Sequence, residues 1–337
     1  MKIAVVGAGW YGCHIALSLQ NRGYEVDVFE RGDRVFYGAS GKNQNRLHFG
    51  FHYPRDSETR KQINGGVDFF LKTYPNLLKE VDNNYYAISK DESLIDFTTY
   101  KLILEAEGLN YKEEKCDFLD YENVSGSIRT NEMLIDTQAA KEFFSSEISN
   151  INFSSSISPR QLHTKKIGKT KYDWVINTTW NGLTSELFDE TELYYEPCVM
   201  YCYRNLTEKQ FAITIMDGNL FSLYPYFSDI YTLSSVEHIA LDQCPTYRES
   251  LDKLMTVDVE YINHKRFLAE KKVKKYIPKF DSMFQYVNAD YSVKTKMRSS
   301  TAKRVCVVRN EEGLIDIFSG KINTINYAEQ KVLEIIQ

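Results

Sequence analysis

The spacing of apolar residues near the N-terminus predicts a strand, a helix and a second strand. Residues 2–6 form a β-branched run, and Ile15, Ala16 and Leu19 then recur at helical spacing on one side of the next segment. The segment "YEVDVFE" that follows alternates toward a strand ending at Glu30. This order is that of a βαβ unit, whose two strands lie parallel in one sheet.

The period of the pattern changes to two between residues 196 and 236. Four segments alternate there, namely "CVMYCYR", "FAITIM", "LFSLYPYF" and "IYTLSSV". Asp217-Gly218 stands between the second and the third segment and is a strong hairpin signal. These residues predict an antiparallel sheet that is separate from the opening βαβ unit.

Further helices and strands are predicted around these two units. One helix begins at Asp56 or Ser57 as its cap and ends before Pro75. Gly65 and Gly66 interrupt this helix, which either weakens the helix prediction or marks close packing. The other predicted helices lie in "ESLIDFTTYKLILEAEGL", "LIDTQAAKEFFSSEI" and "RFLAEKKVKKYIPKF", and two more strands in "NNYYAIS" and "YDWVINTTW".

The turn of the βαβ unit carries three glycines at the spacing of a dinucleotide site. Gly7 permits the tight turn, Gly9 lets the backbone approach a pyrophosphate, and Gly12 lets the helix pack closely on the strand. Unpaired N–H groups at the helix N-terminus favour the negative phosphates. Glu30 lies 18 residues after Gly12, where a carboxylate can accept from ribose hydroxyls. An acid there argues against NADP and leaves NAD and FAD open.

Size and charge narrow the class of protein. A chain of 337 residues is long for one core, so two lobes are expected. A net charge of -5 gives no reason to expect nucleic acid or an acidic membrane as a partner. The six cysteines have no zinc or redox spacing, and no stretch approaches the ~20 apolar residues of a membrane span. Because a strand is predicted to begin at Lys2, we expect a cytoplasmic protein without a cleaved leader. The cysteine spacing gives no reason to expect a metal site.

Three separated pieces resemble the D-amino-acid-oxidase-like family of FAD-dependent oxidoreductases, in particular its glycerol-3-phosphate dehydrogenase and L-2-hydroxyglutarate oxidase branches. The first is the glycine motif with Glu30, and the second is "VINTTWNG", which is similar to the family's "VVNAAG" strand but carries Trp180 near the expected glycine. The third is "IFSGKINTINYAEQKVLEII", in which Gly320, Lys321 and Thr324 match the family's "GGKxTTxRxMAE" segment. The third match implies FAD rather than NAD.

The resemblance also implies how the C-terminal segment meets the cofactor. Gly320 lets the backbone pass close to the isoalloxazine ring. Asn323 is expected to cap a final helix whose Ile325, Ala328 and Val332 pack inward. The N-terminus of that helix would face the O2 and N1 edge of the flavin and stabilise negative charge there.

The loop "NQNRLHFGFHY" resembles the "NSGVIHAGIYY" segment of the hydroxyglutarate oxidases. Asn43, His48, Gly50 and Tyr53 match, and the resemblance implies that this loop passes along the flavin ring. His48 is then the candidate general base, because a neutral imidazole can take a hydroxyl or amine proton while hydride leaves for flavin N5.

Four further residues are candidates for substrate binding under this resemblance. Arg46 has no match in the relatives and could meet a carboxylate or phosphate, and His52 stands where the relatives carry an aromatic residue. Tyr53 is the third candidate, and Arg298 occupies a place where these enzymes often hold a substrate-binding arginine. The cofactor-binding candidates are Gly7, Gly9, Trp10, Tyr11, Gly12, Glu30, Arg31, Ser40, Asn43, Asn45, Arg46, Leu47, Asn177, Thr178, Gly320, Lys321, Ile322, Asn323 and Thr324.

The expected fold class is therefore α/β. It joins a Rossmann-type, glutathione-reductase-like FAD-binding lobe to a second α+β lobe built on an antiparallel sheet. The boundaries are predicted at 1–58, 128–182 and 300–337 for the FAD lobe, and at 59–127 and 183–299 for the substrate lobe. The predicted reaction oxidises a CH–OH or CH–NH group of a small polar, anionic metabolite. The electron acceptor stays open between O2, a quinone and a carrier protein. The alternatives are a flavin-dependent sugar mutase and a non-enzymatic FAD- or NAD-binding protein.

Overall fold

The computed structural model describes residues 1–183, 188, 192–298 and 305–337. In these residues the α-helices are α1 Trp10–Asn21, α2 Ser57–Thr73, α3 Phe97–Ala106, α4 Thr137–Glu147, α5 Pro159–Thr164, α6 Val236–Ile239, α7 Tyr247–Thr256, α8 Val259–Tyr276, α9 Phe280–Met283 and α10 Ile325–Ile336. The β-strands are β1 Lys2–Val6, β2 Glu25–Phe29, β3 Arg46–Leu47, β4 Leu78–Glu80, β5 Asn84–Ser89, β6 Lys112–Glu113, β7 Val124–Thr130, β8 Met133–Ile135, β9 Ile151–Asn152, β10 Lys166–Ile167, β11 Thr170–Lys171, β12 Trp174–Asn177, β13 Leu193–Asn205, β14 Ala212–Met216, β15 Phe221–Phe227, β16 Ile230–Ser235, β17 Phe284–Met297, β18 Val307–Glu311 and β19 Leu314–Phe318.

A six-stranded sheet in the order β18-β19-β12-β1-β2-β9 contains the predicted βαβ unit. Its strands pair in parallel except for the antiparallel edge strand β18. Ile3 and Val5 pack into one buried cluster with α1 and α10, whereas Ala4 and Val6 belong to a second cluster with Leu162 of α5. Because successive side chains of a strand point to opposite faces, helices cover this sheet on both sides, as the α/β prediction requires.

An eight-stranded sheet has the order β17-β13-β16-β15-β14-β5-β7-β6. Its pairs are antiparallel except for β14 and β5, which pair in parallel from Ala212↔Asn84 to Met216↔Ile88. The predicted hairpin is confirmed, because β14 and β15 are antiparallel neighbours joined through Asp217-Gly218. The predicted strand "NNYYAIS" is confirmed as β5 and lies in this same sheet.

A small antiparallel sheet in the order β3-β8-β4 connects the opening loop to the middle of the chain. Arg46 pairs with Leu134 and Leu47 with Met133. The register brings the turn between β7 and β8 beside the residues that follow β3. The side chains that define the candidate site project from this junction.

Helix α3 begins at Phe97, inside its predicted segment, with Asp96 as its cap. Two other predicted helices also begin at other residues than the pattern indicates. The segment that starts at Leu134 is a strand as far as Ile135, and the carboxylate of Asp136 then accepts the N–H groups of Gln138 and Ala139 as the cap of α4. Helix α8 begins at Val259, before the predicted segment, since Asp258 caps it. In both cases a capping carboxylate fixes the first turn.

The remaining predictions about the chain as a whole concern thiols and membranes. All six cysteines are buried and free, as expected for structural thiols. Among the described residues, every helix is too short or too polar to cross a bilayer.

Phe70 of α2 and the adjacent Tyr74 pack into the core of the six-stranded sheet, and β7 belongs to the eight-stranded sheet. The lobe boundaries themselves stay a prediction.

The two adjacent glycines of α2 have different surroundings, which gives a matched pair of variants. A Cβ on buried Gly66 would lie 1.6 Å from the carbonyl oxygen of Asn323, whereas nothing lies within 4 Å of a Cβ on exposed Gly65. We expect Gly66→Ala to lower the free energy of unfolding by about 1–3 kcal/mol. Gly65→Ala should raise it by about 1 kcal/mol, because alanine is the better helix former.

Chemical denaturation of both variants and the unsubstituted protein measures this difference. Equal effects of the two substitutions would contradict the close packing of α2 on the turn at Asn323.

Candidate functional site

The glycine-rich turn between β1 and α1 is closed too tightly for side chains. Gly7 has φ +102°, and a Cβ on Gly12 would lie 1.8 Å from the carbonyl oxygen of Gly7. Thr178 packs against the same turn, and its hydroxyl donates to the carbonyl groups of Val6 and Gly7 at 2.9 and 3.0 Å. The backbone of α1 therefore approaches β1 as closely as the glycine spacing predicts.

The first turn of α1 joins this glycine turn to the opening loop. The N–H of Trp10 donates to Ser40 Oγ at 3.1 Å, and a Cβ on Gly9 would lie 2.9 Å from the same oxygen. The Trp10 ring is buried and stacks in the core, with Phe36 at 4.9 Å between ring centres. Its backbone thus faces the site while its side chain stabilises the fold. The Tyr11 hydroxyl reaches the C-terminal segment and donates to the carbonyl of Lys321 at 2.5 Å.

Glu30 is buried at the end of β2 and holds both of its carboxylate oxygens against backbone. Oε2 accepts the N–H of Ala8 at 2.8 Å and Oε1 accepts the N–H of Gly32 at 2.8 Å. Each oxygen has a second lone pair, so both can still accept from a ribose hydroxyl. Arg31 is exposed, and its guanidinium lies 5.2 Å from the ring of Tyr247.

The C-terminal segment meets the opening loop through one buried side chain. Asn323 is fully buried in a short 3₁₀ turn, Ile322–Thr324, and its Nδ2 donates to the backbone carbonyl of His48 at 2.8 Å. The predicted capping role of Asn323 is therefore wrong, because Thr324 precedes α10 and the amide is used on the loop instead. Ile325, Ala328 and Val332 pack inward as predicted.

The rings of His48, His52 and Tyr53 lie next to one another, and Lys321 lies over the ring of Tyr53. The ring centres of the two histidines are 5.2 Å apart, and that of Tyr53 is 5.0 Å from His52 and 5.7 Å from His48. The Nζ of Lys321 lies 4.4 Å from the ring centre of Tyr53. The sequence-predicted catalytic residue and two of the substrate candidates are thus brought together.

Burial lowers the pKa values of His48, His52 and Lys321. Burial, with the nearby cations Lys321 and Arg46, holds the pKa of His48 well below its usual range. The pKa of His52 is lowered in the same way, by burial first and then by Arg46. Burial and Arg46 lower the pKa of Lys321 to about 7. Both imidazoles are therefore neutral near pH 7, and the lysine can give or take a proton there.

Arg46 is buried in a polar network that the sequence did not indicate. Its Nη2 lies 3.3 Å from Oε2 of Glu132 and also donates to the hydroxyl of Tyr86. Its Nη1 donates to Ser222 Oγ at 3.1 Å, and its guanidinium lies 4.4 Å from the ring centre of Tyr224. Glu132 carries no local signal, since it is one acid in the turn between β7 and β8.

Other predicted residues shape the loop rather than face this network. Asn43 donates to the carbonyl of Ala39 at 2.8 Å and accepts the N–H of Asn45 at 2.7 Å. Asn45 has φ +52°, and Leu47 is fully buried.

Two more predicted residues lie at the ends of strands, Asn177 at the end of the interior strand β12 and Arg298 after the edge strand β17. Asn177 Oδ1 accepts from the N–H and hydroxyl of Thr179. Arg298 is exposed at the end of β17, where its N–H donates to the carbonyl of Glu192 and its guanidinium lies 5.4 Å from the ring of Tyr194.

Several buried polar atoms around the junction have no hydrogen-bond partner in the described part of the chain. They are Arg46 Nε, His48 Nδ1, His52 Nδ1 and Asn323 Oδ1. Buried polar groups are rarely left unpaired in folded proteins. Their concentration between the opening loop and the C-terminal turn indicates that polar groups of a ligand belong there.

Comparisons with known proteins identify the family to which the chain is similar. A family model described as FAD dependent oxidoreductase matches residues 2–124. The FAD-dependent monooxygenase FPY4 of Fusarium mangiferae is 34% identical over 99% of this chain and 91% of its own length. The FAD-dependent monooxygenase kojA of Aspergillus flavus is 26% identical over 100% of this chain and 86% of its own.

Solved structures share the fold over nearly the whole chain. Glycine oxidase from Geobacillus kaustophilus superposes with a TM-score of 0.73 at 12% identity, over 99% of this chain and 94% of that one. The L-alpha-glycerophosphate oxidase from Mycoplasma pneumoniae gives a TM-score of 0.70 at 12% identity, over 98% and 92% of the two chains.

Proposed function

Since this chain belongs to the family of FAD-dependent oxidoreductases, we propose that it oxidises a CH–OH or CH–NH group of a small polar, anionic metabolite. The observation that carries the proposal is the hydrogen bond from Asn323 to the His48 carbonyl, which joins the C-terminal turn to the loop that bears the proton acceptor. Both segments are those in which the family resemblance lies, and the partnerless polar atoms lie between them.

The residues present fit FAD. The glycines of the turn carry no side chains, so a pyrophosphate could approach the backbone there, and Glu30 has free lone pairs for ribose hydroxyls. At the other end, the partnerless Asn323 Oδ1 would meet the ring or the substrate. When bound, FAD supplies the acceptor for the hydride of the substrate C–H bond.

His48 would take the proton that the oxidation releases. Its imidazole is buried and neutral near pH 7, so one ring nitrogen has a lone pair to accept the hydroxyl or amine proton of the substrate. Tyr53 and His52 form the adjoining wall and would fix the orientation of the substrate. Lys321, close to Tyr53, supports an anionic substrate, because its protonated amine would attract an anion and a bound anion would in turn raise its lowered pKa.

The names of the two similar fungal proteins favour a second candidate function, which is monooxygenation. Insertion of one oxygen atom from O2 needs two electrons from an external reductant, whereas the proposed oxidation takes both electrons from the substrate. The two functions are therefore separable by the source of the electrons.

Anaerobic mixing of the yellow holoprotein with hydroxy acids, amino acids and sugar derivatives tests the proposal. We expect one compound to bleach the flavin absorbance without any other reductant. Bleaching only by a nicotinamide nucleotide, with ¹⁸O from O2 in the product, would favour monooxygenation. Turnover without any acceptor would favour the mutase, and purified protein that lacks flavin after FAD is added would contradict all three.

Replacing Glu30 by glutamine should weaken FAD binding by roughly 10- to 100-fold, since hydrogen bonds to a charged group contribute about 1.5–3 kcal/mol. The matched control is Glu25→Gln at the exposed start of the same strand. Fluorescence titration of the apoprotein with FAD measures both dissociation constants. Equal constants for the two variants would show that Glu30 only holds the turn at Ala8 and Gly32.

A further inference from the structure

The register of the small sheet brings a fully buried carboxylate opposite the proposed base. Arg46 pairs with Leu134 and Leu47 with Met133 in antiparallel register, so the next residue on each side of the pair, His48 and Glu132, follows directly after the last paired residues. Glu132 has 0% exposure. The strand pairing that fixes the loop therefore also fixes the position of Glu132. A change in the side chain of either Glu132 or His48 should alter the surroundings of the other.

Three donors fix the orientation of the Glu132 carboxylate. Oε1 accepts the N–H of Phe49 at 2.8 Å, and Oε2 accepts the hydroxyl of Tyr86 at 2.5 Å. The guanidinium of Arg46 lies 3.3 Å from Oε2. Oε2 thus has two donors and Oε1 has one, so Oε1 keeps a free lone pair that can accept a hydrogen bond from His48.

His48 has a ring nitrogen that needs such an acceptor. Its Nδ1 is buried without a hydrogen-bond partner in the described chain and lies 3.7 Å from Oε1 of Glu132. A movement of less than 1 Å brings the two atoms to the roughly 2.7–3.2 Å of a hydrogen bond. A carboxylate can only accept, so this contact requires the proton of the ring to be on Nδ1.

We propose that Glu132 is a positioning residue that holds His48 with its proton on Nδ1 and leaves Nε2 as the acceptor for the substrate. The inference rests on the proposed function for the identity of the reaction, but the tautomer itself is a property of the holoprotein without substrate.

The groups around His48 explain why a single carboxylate can decide the tautomer. Arg46 is a cation and Lys321 is one when protonated, whereas Tyr53 and His52 are neutral. The carboxylate of Glu132 lies within reach of the ring. Burial and the two cations keep the imidazole neutral, so it has one proton to place. On Nδ1 that proton points at the Glu132 carboxylate, and on Nε2 it would block the site of proton transfer.

The chemical step balances with these assignments. The substrate O–H or N–H bond breaks and its proton goes to Nε2, while the freed electron pair forms the C=O or C=N bond. The hydrogen of the neighbouring C–H bond would leave with its two electrons, for which FAD would supply the acceptor when bound. The imidazolium that forms has its Nδ1–H directed at Glu132, which stabilises the new positive charge.

Histidine ¹⁵N NMR on the FAD-bound protein tests the proposal. Six histidines are present, and subtraction of the His48→Gln spectrum assigns the signals of His48. We expect Nδ1 to be the protonated nitrogen in the unsubstituted protein. Glu132→Gln should lose this preference, whereas Tyr86→Phe, which removes one donor but keeps the carboxylate, should retain it.

The rate of flavin reduction gives a second test. If Glu132 had a purely structural role, its variant and Tyr86→Phe should lower this rate to a similar extent. In Glu132→Gln the rate of flavin reduction should fall by roughly 10²–10⁴-fold, as expected when a catalytic imidazole has the wrong tautomer. Reduction in Tyr86→Phe should fall much less, although both variants lose a hydrogen bond in one network.

Two results would overturn the proposal. One is an Nε2-protonated His48 in the unsubstituted protein, a result that does not depend on the folding of any Glu132 variant. The other is an unchanged tautomer in Glu132→Gln. If no compound reduces the flavin, the proposed function fails while the NMR result still decides the role of Glu132.

Discussion

Flavin reduction by the substrate should slow by roughly 10²–10⁴-fold when His48 is replaced by glutamine, which is the usual cost of a lost general base. Glutamine keeps a polar side chain of similar length but cannot take the proton at neutral pH. The Asn323 bond to the backbone carbonyl at position 48 is kept, so the loop stays attached to the C-terminal turn. Anaerobic stopped-flow absorbance with saturating substrate measures the rate directly.

His52→Gln is the matched control for this variant. His52 lies beside His48 in the same pocket, and a residue that only binds substrate should change the concentration needed for half-maximal rate more than the rate itself. Equal losses of the limiting rate in both variants would contradict a unique role for His48.

The direction in which pH changes the rate of flavin reduction follows from the lowered pKa of His48. Because burial and the adjacent cations hold the pKa of His48 well below 6.5, its neutral, proton-accepting form is present above that lowered pKa. The reduction rate should therefore stay level as the pH falls through 6.5, as far as His48 governs it. A fall of the rate with a midpoint at or above 6.5 would show that another group is the base.

The second large effect is expected on stability. Arg46→Met should lower the free energy of unfolding by about 3–5 kcal/mol, because it leaves the fully buried Glu132 without its cation. The contact of the guanidinium with the ring of Tyr224 is lost as well. Urea denaturation of the apoprotein measures the change without a contribution from cofactor binding.

An exposed ion pair provides the control. Arg248 and Asp252 lie 3.3 Å apart on the surface of α7, and Arg248→Met should cost no more than about 1 kcal/mol. The double variant Arg46→Met/Glu132→Gln should recover part of the loss, since no unpaired charge then stays buried. A double variant that is less stable than the sum of its single changes would contradict this account.

The parts of the site that the sequence predicts are those built from neighbours along the chain. Gly7, Gly12 and Glu30 lie in one strand–helix–strand unit, so their spacing alone indicates how they meet. Asp217-Gly218 likewise identifies its hairpin, because a tight turn is a local property. The C-terminal turn was predicted through its resemblance to a family, not through any local rule.

Glu132 shows what the sequence alone does not reveal. It stands in a polar turn, and its importance depends on the pairing of β3 with β8 across more than eighty residues. The parallel pairing of β14 with β5 is likewise set by long-range packing. Arg46 was noticed as a charge without a match, but its partner is Glu132, which the residues around Arg46 could not indicate.

The packing of the last helix on the first has a consequence for synthesis of the protein. Ile15 of α1 shares a buried cluster with Ile325 and Val332 of α10, and His14 Nε2 lies 3.1 Å from a carboxylate oxygen of Glu329. At 5–20 residues per second, a ribosome needs roughly 15–60 s to make the intervening chain. Until then, the side of α1 that packs on α10 has no partner, so this part of the core can form only after the whole chain has been made.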